Sequence, residues 1–265
     1  MKKRNLFLVA LFALILSSCF PTSYFQVYKV KPTDKTTLYG NNMIYEDENC
    51  KVFYNLWNDG GNIGFRFYNK TDKNIYLNLE ESFFILNGMA NNYFKNRIYT
   101  NSSSTAASSA LSSSVNKSLL GLSSVGIASS SGSSISYNEE KTVCIPGKTS
   151  KVVAEYSINS ALYRDCDLFK YPTKKQINTK FLSISDSPLV FSNRIVYSIG
   201  LSYEPIKFEN EFYVTEITNY PEDLMIEWKY DEYCGQKSTE RTKYFKHISP
   251  DMFYIQYNRK GSWIH

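Results

Sequence analysis

Few residues in this chain have the type and spacing that chemistry needs. It has two histidines, His247 and the terminal His265. A serine triad would have to take His247 as its base. That residue sits in Lys246-His247-Ile248-Ser249-Pro250, where no neighbour orients an imidazole, and no Gly-x-Ser-x-Gly occurs. Pro146-Gly147-Lys148-Thr149-Ser150 resembles the tail of a phosphate-binding loop. The first glycine of that loop would fall at Thr142, so the backbone nest for phosphates is not specified and a hairpin turn is expected. There is no Cys-x-x-Cys and no histidine pair to hold zinc. Glu46-Asp47-Glu48 and Asp165-x-Asp167 group carboxylates without the glycine and spacing of a calcium loop, and read as solvated acids. Acid pairs for glycoside hydrolysis can be drawn freely among 25 acidic residues, and nothing selects one pair. No catalytic residue, metal or cofactor is therefore expected, and the chain reads as a non-enzyme.

Chemistry is specified at the amino end. Lys2, Lys3 and Arg4 are followed by an eleven-residue apolar run, Leu6 to Leu16. A bilayer span needs about 20 apolar residues, so the run has the length of a secretory signal core instead. It ends in Leu16-Ser17-Ser18-Cys19, which resembles the lipobox of bacterial lipoproteins. The resemblance implies that the Cys19 thiol receives diacylglycerol, that residues 1–18 are removed, and that the new amino terminus is acylated, with palmitate as the kind of chain involved. Each buried methylene adds about 0.8 kcal/mol, so two or three chains anchor firmly where one would not. Phe20 replaces the aspartate that retains some lipoproteins at the inner membrane, and no acid follows until Asp34. The expected place is the outer membrane, at its periplasmic face rather than the cell surface.

Processing changes the composition. Losing Lys2, Lys3 and Arg4 lowers the formal charge from +5 to +2, which argues against a nucleic-acid partner. Besides the membrane, the expected partners are an envelope protein or a glycan. Cys50, Cys144, Cys166 and Cys234 remain, and an exported chain can join them in three connectivities. Cys166–Cys234 is the expected disulfide, because both lie in polar stretches. The alternative is that some stay as buried thiols.

The elements behind these residues are strands. Cys50, Val52, Tyr54 and Leu56 alternate with Lys51, Phe53, Asn55 and Trp57. Ile63, Phe65 and Phe67, then Ile75, Leu77 and Leu79, keep the same period of two, separated by turns at Asp59–Asn62 and Asn69–Lys73. Asn87-Gly88 suits a tight hairpin. Further strands are expected at 142–145, 152–158, 189–199, 212–214 and 224–230. The fold class is mainly β, an antiparallel β-sandwich over 43–230, immunoglobulin-like or similar, with short helices around 159–180 as the alternative. Residues 19–42 read as anchor and tether with an edge strand at Tyr24–Val30, and 231–265 as a C-terminal extension packing on the domain. Residues 101–136 hold 17 serines and one charge, Lys117. They read as an inserted flexible loop, or as a small-residue helix using Val115, Leu119, Leu122 and Gly126. Phe53, Trp57, Tyr68 and Tyr76 fall on the parity opposite the core and form a candidate aromatic binding surface, unless loops cover them.

Tyr54-Asn55-Leu56-Trp57-x-x-Gly60-Gly61, then Phe65-x-Phe67-Tyr68-Asn69-Lys70-x-Asp72-Lys73-x-Ile75-Tyr76, resembles a family of uncharacterised Bacteroidetes-type outer-membrane or periplasmic lipoproteins. Ser187-Pro188-Leu189-Val190-Phe191 and Asn210-Glu211-Phe212-Tyr213-Val214 are similar to later segments of that group. The likeness covers most of residues 43–220. It implies a β-rich body and an envelope location, and transfers no functional residues. The expected function is that of a lipid-anchored envelope protein with a non-catalytic structural or binding role. A glycan-binding module of an outer-membrane uptake system is the second reading, and a hydrolase with an unmarked carboxylate site the third.

Overall fold

Where apolar and polar residues alternate, the chain forms strands with every second side chain inside. The computed structural model describes residues 23–33, 35–103, 133–200, 202 and 204–259. They divide into a body, up to Tyr93 and from Thr142 on, and a small unit within Phe94–Lys141. In chain order the body begins with β1 (Ser23–Pro32), β2 (Thr37–Tyr39), β3 (Asn42–Glu46), β4 (Cys50–Tyr54), β5 (Phe65–Asn69), β6 (Ile75–Asn78), β7 (Phe83–Leu86) and β8 (Met89–Asn92). The small unit supplies β9 (Ile98–Ser103) and β10 (Ser133–Asn138). The body resumes with β11 (Thr142–Ile145), β12 (Ser150–Val153), β13 (Thr179–Phe181), β14 (Val190–Ile199) and β15 (Ile206–Pro221). It ends with α1 (Glu222–Met225), β16 (Ile226–Tyr233), β17 (Gln236–Phe245) and β18 (Met252–Asn258).

The body is an antiparallel β-sandwich. One sheet runs β11-β6-β14-β15-β1-β18, with β7 beside β14, β8 beside β7, and β13 along the far half of β15. The other runs β12-β5-β4-β3-β2. Aromatic rings join their inner faces: Tyr54 meets Phe212 at 5.3 Å, Phe67 meets Tyr197 at 5.5 Å, and Tyr45 stacks on Phe208 at 4.6 Å. Buried asparagines are satisfied by partners from other strands or loops. The Tyr54 hydroxyl donates to Asn210 Oδ1 at 2.8 Å, the Tyr93 hydroxyl donates to Asn193 Oδ1 at 2.6 Å, and Asn193 Nδ2 donates to the Ile63 carbonyl at 2.9 Å.

Three features depart from the expected plan. Ser23–Pro32 lies between β15 and β18, so the stretch read as tether and edge strand is interior to the sheet from Ser23 on. The C-terminal extension is part of the sheet too, because β18 pairs along β1. No helix lies within 159–180, which is coil apart from the short β13. Asn87-Gly88 does close a hairpin, with φ of +47° and +80° as a two-residue turn of that kind needs.

In the small unit, β9 and β10 pair from Ile98–Asn138 to Ser103–Ser133. Both ends of the serine-rich segment are therefore strand. Residues 104–132, with Val115, Leu119, Leu122 and Gly126, lie outside the described residues. Glu139 clasps the base of this ladder. Its carboxylate accepts the Lys95 N–H at 2.8 Å and the Arg97 guanidinium at 2.5 Å.

Candidate functional site

β1 is buried on both faces, and its two faces carry different sites. Tyr24, Gln26 and Tyr28 lie on the inner face, covered there by the coil around Ala161, Tyr163 and Tyr171, whereas Phe25, Val27 and Lys29 point to the outer face of the large sheet. On that outer face the neighbouring strands add Glu216, Thr218 and Tyr220 from β15 and Met252 and Tyr254 from β18. The α1 turn and the chain after β17 pass over this floor. They are tied together where the Lys246 N–H donates to the Met225 carbonyl at 2.9 Å, and held to the body where the Leu56 N–H donates to the Pro250 carbonyl at 2.9 Å.

The result is a partly open cleft of about 280 Å³. Val27, Trp57, Leu224, Met225 and Met252 form its apolar walls, and Lys29, Glu216, Thr218 and His247 its polar groups. Lys29 Nζ lies 2.9 Å from the Glu216 carboxylate, which keeps the ammonium charged beyond its ordinary range. One end of the cleft is stiffened by an aromatic cluster. Phe245 packs on Phe25 at 5.6 Å, on Trp57 at 5.1 Å and on Tyr254 at 4.8 Å. Met225 and Met252 add adaptable side chains to its lining. The arrangement can hold an apolar group against Trp57 and the methionines, with a polar end beside Lys29 and His247.

A second hollow of about 280 Å³ lies on the inner face, over Gln26, Tyr163, Leu168, Asn219 and Tyr257. Its polar groups already serve the fold. Gln26 Oε1 accepts the Tyr163 N–H at 2.7 Å and the Tyr28 hydroxyl, and Gln26 Nε2 donates to the Tyr163 carbonyl and to Asn219 Oδ1, each at 2.9 Å. Asn219 Nδ2 then donates to the Phe169 carbonyl at 2.9 Å. These bonds hold the coil of residues 161–169 against the sheet, and burial pushes the Tyr28 phenol up to about 12. The outer cleft is therefore the better ligand site.

The four aromatics expected to share one surface do not. Phe53 and Tyr68 lie on the outer face of the small sheet, where the Arg66 guanidinium covers the Phe53 ring at 3.8 Å. Tyr76 faces outward from β6 in the other sheet, paired with Cys144 and Ser198. Trp57 alone lines the cleft. The expected Cys166–Cys234 bridge is not formed: both are free, exposed thiols, as is Cys144, while Cys50 is free and buried. Cys234 sits at the tip of the β16–β17 hairpin at φ +50°, carried away from the body by eight residues of strand, roughly 26 Å. Cys166 lies in the coil that Gln26 and Asn219 hold down.

Cations hold both acids of Asp165-x-Asp167 and Glu46 of the other cluster, while Asp47 accepts the Asn49 and Cys50 N–H groups. Lys180 binds Asp165 at 3.2 Å and Asp167 at 2.9 Å, and Glu46 binds Lys51 and Lys70. The Asp167 N–H and Lys180 hold the Asp165 carboxyl below its usual range. Among the described residues no group of three or more His, Cys, Asp or Glu could hold a metal ion. Lys148 adopts φ +60° in the turn after β11, but the turn is not the expected hairpin: β11 pairs with β6 in one sheet and β12 with β5 in the other, so the turn crosses between the sheets.

Sequence reading missed Leu224, Met225 and Met252 as wall residues and set His247 aside. They come to the cleft from segments far apart in the chain, and no local spacing marks them. Leu16, Ser17, Ser18 and Cys19 lie outside the described residues. Among the described residues no helix is long and apolar enough to cross a membrane. Compared with known proteins, the chain matches no family model, no curated protein and no solved structure.

Proposed function

We propose that this chain is a lipid-anchored, non-catalytic binding protein of the cell envelope, held through Cys19 at the periplasmic face of the outer membrane. The observation that carries the reading is Leu16-Ser17-Ser18-Cys19 placed directly after a cationic start and an eleven-residue apolar core. The body agrees with it. Its sandwich is a rigid frame for a preformed cleft whose walls are apolar and whose one carboxylate, Glu216, is bound to Lys29. Such a site suits a small amphipathic ligand better than bond-breaking chemistry. The glycan-binding reading draws no support from Phe53, Trp57, Tyr68 and Tyr76, which face three different ways.

The test is palmitate labelling of the full chain in a bacterial host, with membranes washed in high salt. Label on the wild type and none on Cys19→Ser, together with loss of the variant from washed membranes, is the expected result. An unlabelled wild type would sink the anchor.

A further inference from the structure

β16 and β17 form a two-stranded ribbon that no third strand joins among the described residues. Its root is fixed by Phe245 in the Phe25, Trp57 and Tyr254 cluster. Beyond the root nearly every residue of both strands is exposed. Register places Trp228 opposite Lys243 and Tyr230 opposite Arg241, so these four share one face. There the Lys243 ammonium lies 5.0 Å from the Trp228 ring and the Arg241 guanidinium 5.6 Å from the Tyr230 ring. Glu227 and Asp231 fall on the other face, where Lys229 binds Glu227 and the Thr242 and Tyr244 hydroxyls bind Asp231. Acids reach the aromatic side too: Glu232 follows Tyr230 at the same parity, opposite Lys237, Glu240 borders its hollow, and Glu222 takes Lys243 at 2.6 Å.

The ribbon springs from the end of the sheet where β1 begins. Tyr24 pairs with Pro221, and α1 and β16 follow Pro221 directly. Cys19 precedes Ser23 by four residues, which span at most about 14 Å. Eight residues of β16 span roughly 26 Å, so the ribbon is longer than the tether. Tryptophan and tyrosine settle at the headgroup level of a bilayer, and arginine and lysine are drawn to its anionic lipids.

We propose that the Trp228, Tyr230, Arg241 and Lys243 face of this ribbon is a membrane-contacting surface that rests on anionic phospholipid headgroups. The proposal depends on the Cys19 anchor for its geometry, but its test does not use the lipid. The probe is the mature chain carrying Cys19→Ser, mixed with vesicles of phosphatidylethanolamine and phosphatidylglycerol, or of phosphatidylcholine alone. Cosedimentation with the anionic vesicles only, weakened by salt, is expected. Arg241→Gln combined with Lys243→Gln should lower partitioning roughly thirty-fold. Trp228→Ala should also lower it, and Lys229→Gln on the opposite face should change it far less. All these positions are exposed, and an unchanged circular dichroism spectrum checks the fold. Equal partitioning of the double variant and its parent would overturn the proposal. So would absence from both vesicles, or binding to soluble polysaccharide alone. A failure here leaves palmitate labelling intact, and an unlabelled wild type leaves vesicle binding intact, so the two readings fail separately.

Discussion

Phe245, the last residue of β17, meets the Trp57 indole edge-on, with ring centroids 5.1 Å apart and planes at 89°. This contact joins a ribbon made of residues 226–245 to a loop nearly two hundred residues earlier in the chain. It also closes one end of the cleft. Each aromatic pair adds about 0.5–1.5 kcal/mol beyond the area it buries. Phe245→Ala removes three such pairs and should cost about 2–3 kcal/mol in urea unfolding. The ribbon should also become more sensitive to protease than in the wild type. An unchanged cleavage rate would mean that the root is held by something other than this cluster.

The bond from Tyr54 to Asn210 crosses the two sheets in a fully buried setting. Tyr54→Phe keeps the ring contacts with Phe65 and Phe212 and deletes only the hydroxyl. The Asn210 amide oxygen then loses this donor in a place water does not reach. The expected loss is about 1–3 kcal/mol, read as a lower urea midpoint at an unchanged slope.

Gly61 has φ +75°, and a Cβ there would lie 2.8 Å from Ile158 Cδ1 and 2.9 Å from the Phe253 ring. Both neighbours are core side chains with relative exposures of 1% and 0%. Gly61→Ala therefore combines backbone strain with overpacking, and should cost more than about 2 kcal/mol. Gly88→Ala is the comparison. Its φ is also positive, at +80°, but nothing lies within 4 Å of the added atom, so a smaller loss is expected.

These cases show what the sequence made legible. Asn87-Gly88 and the glycine pair at 60–61 carry local backbone requirements, so their turns can be read directly. Alternation around Val52, Phe65 and Leu77 is legible because each of these strands has one face in the core. β1 is different. Tyr24 to Tyr28 is buried on both faces, so no alternation survives, and the one polar residue, Gln26, is held by long-range bonds. β15 hides its parity in another way. Opposite β1 the register shifts, Val30 pairing with Val214 and Lys29 with Glu216, so Thr215 is an extra residue. The inward set therefore changes from Phe212 and Val214 to Ile217 and Asn219, which breaks the period of two. The Leu224–Tyr230 stretch shows the converse limit. Its alternation is real, yet Trp228 and Tyr230 are 55% and 49% exposed, because periodicity does not say whether a face finds a partner. The cleft was beyond sequence reading, since Val27, Trp57, Leu224 and Met252 meet only through strand register.

Glu139 gives the small unit a pH dependence of known sign. Burial opposes its ionisation, but Arg97 and the Lys95 and Arg97 N–H groups hold its carboxyl below the usual range. A carboxyl with a lowered folded pKa stabilises fully above its unfolded value of about 4.3. That contribution fades as pH falls through the lower folded value. Amide protection along β9 and β10 should therefore weaken on acidification below about pH 4. Glu139→Gln should weaken it at neutral pH and flatten its acid response. A variant that keeps the wild-type acid profile would assign the effect to another group.

The four body cysteines predict a two-rate thiol titration. Thiolate is the reactive form, so both exposure and pKa set the rate. Cys144, Cys166 and Cys234 are exposed. Cys50 is fully buried, and burial and then the Asp47 charge push its thiol up. A disulfide-exchange reagent should modify three thiols promptly in the folded mature chain and Cys50 only on unfolding. Tyr197→Phe, which removes a hydroxyl bonded beside Asp47 at 3.2 Å, tests whether that region gates access. Its Cys50 should react sooner than in the parent. A non-reducing digest should contain Cys166 and Cys234 in separate peptides, because the hairpin tip stands a strand's length from the body. Recovery of a linked peptide would mean that the ribbon folds back onto the coil around Cys166, and the exposed face assigned to it would then be covered.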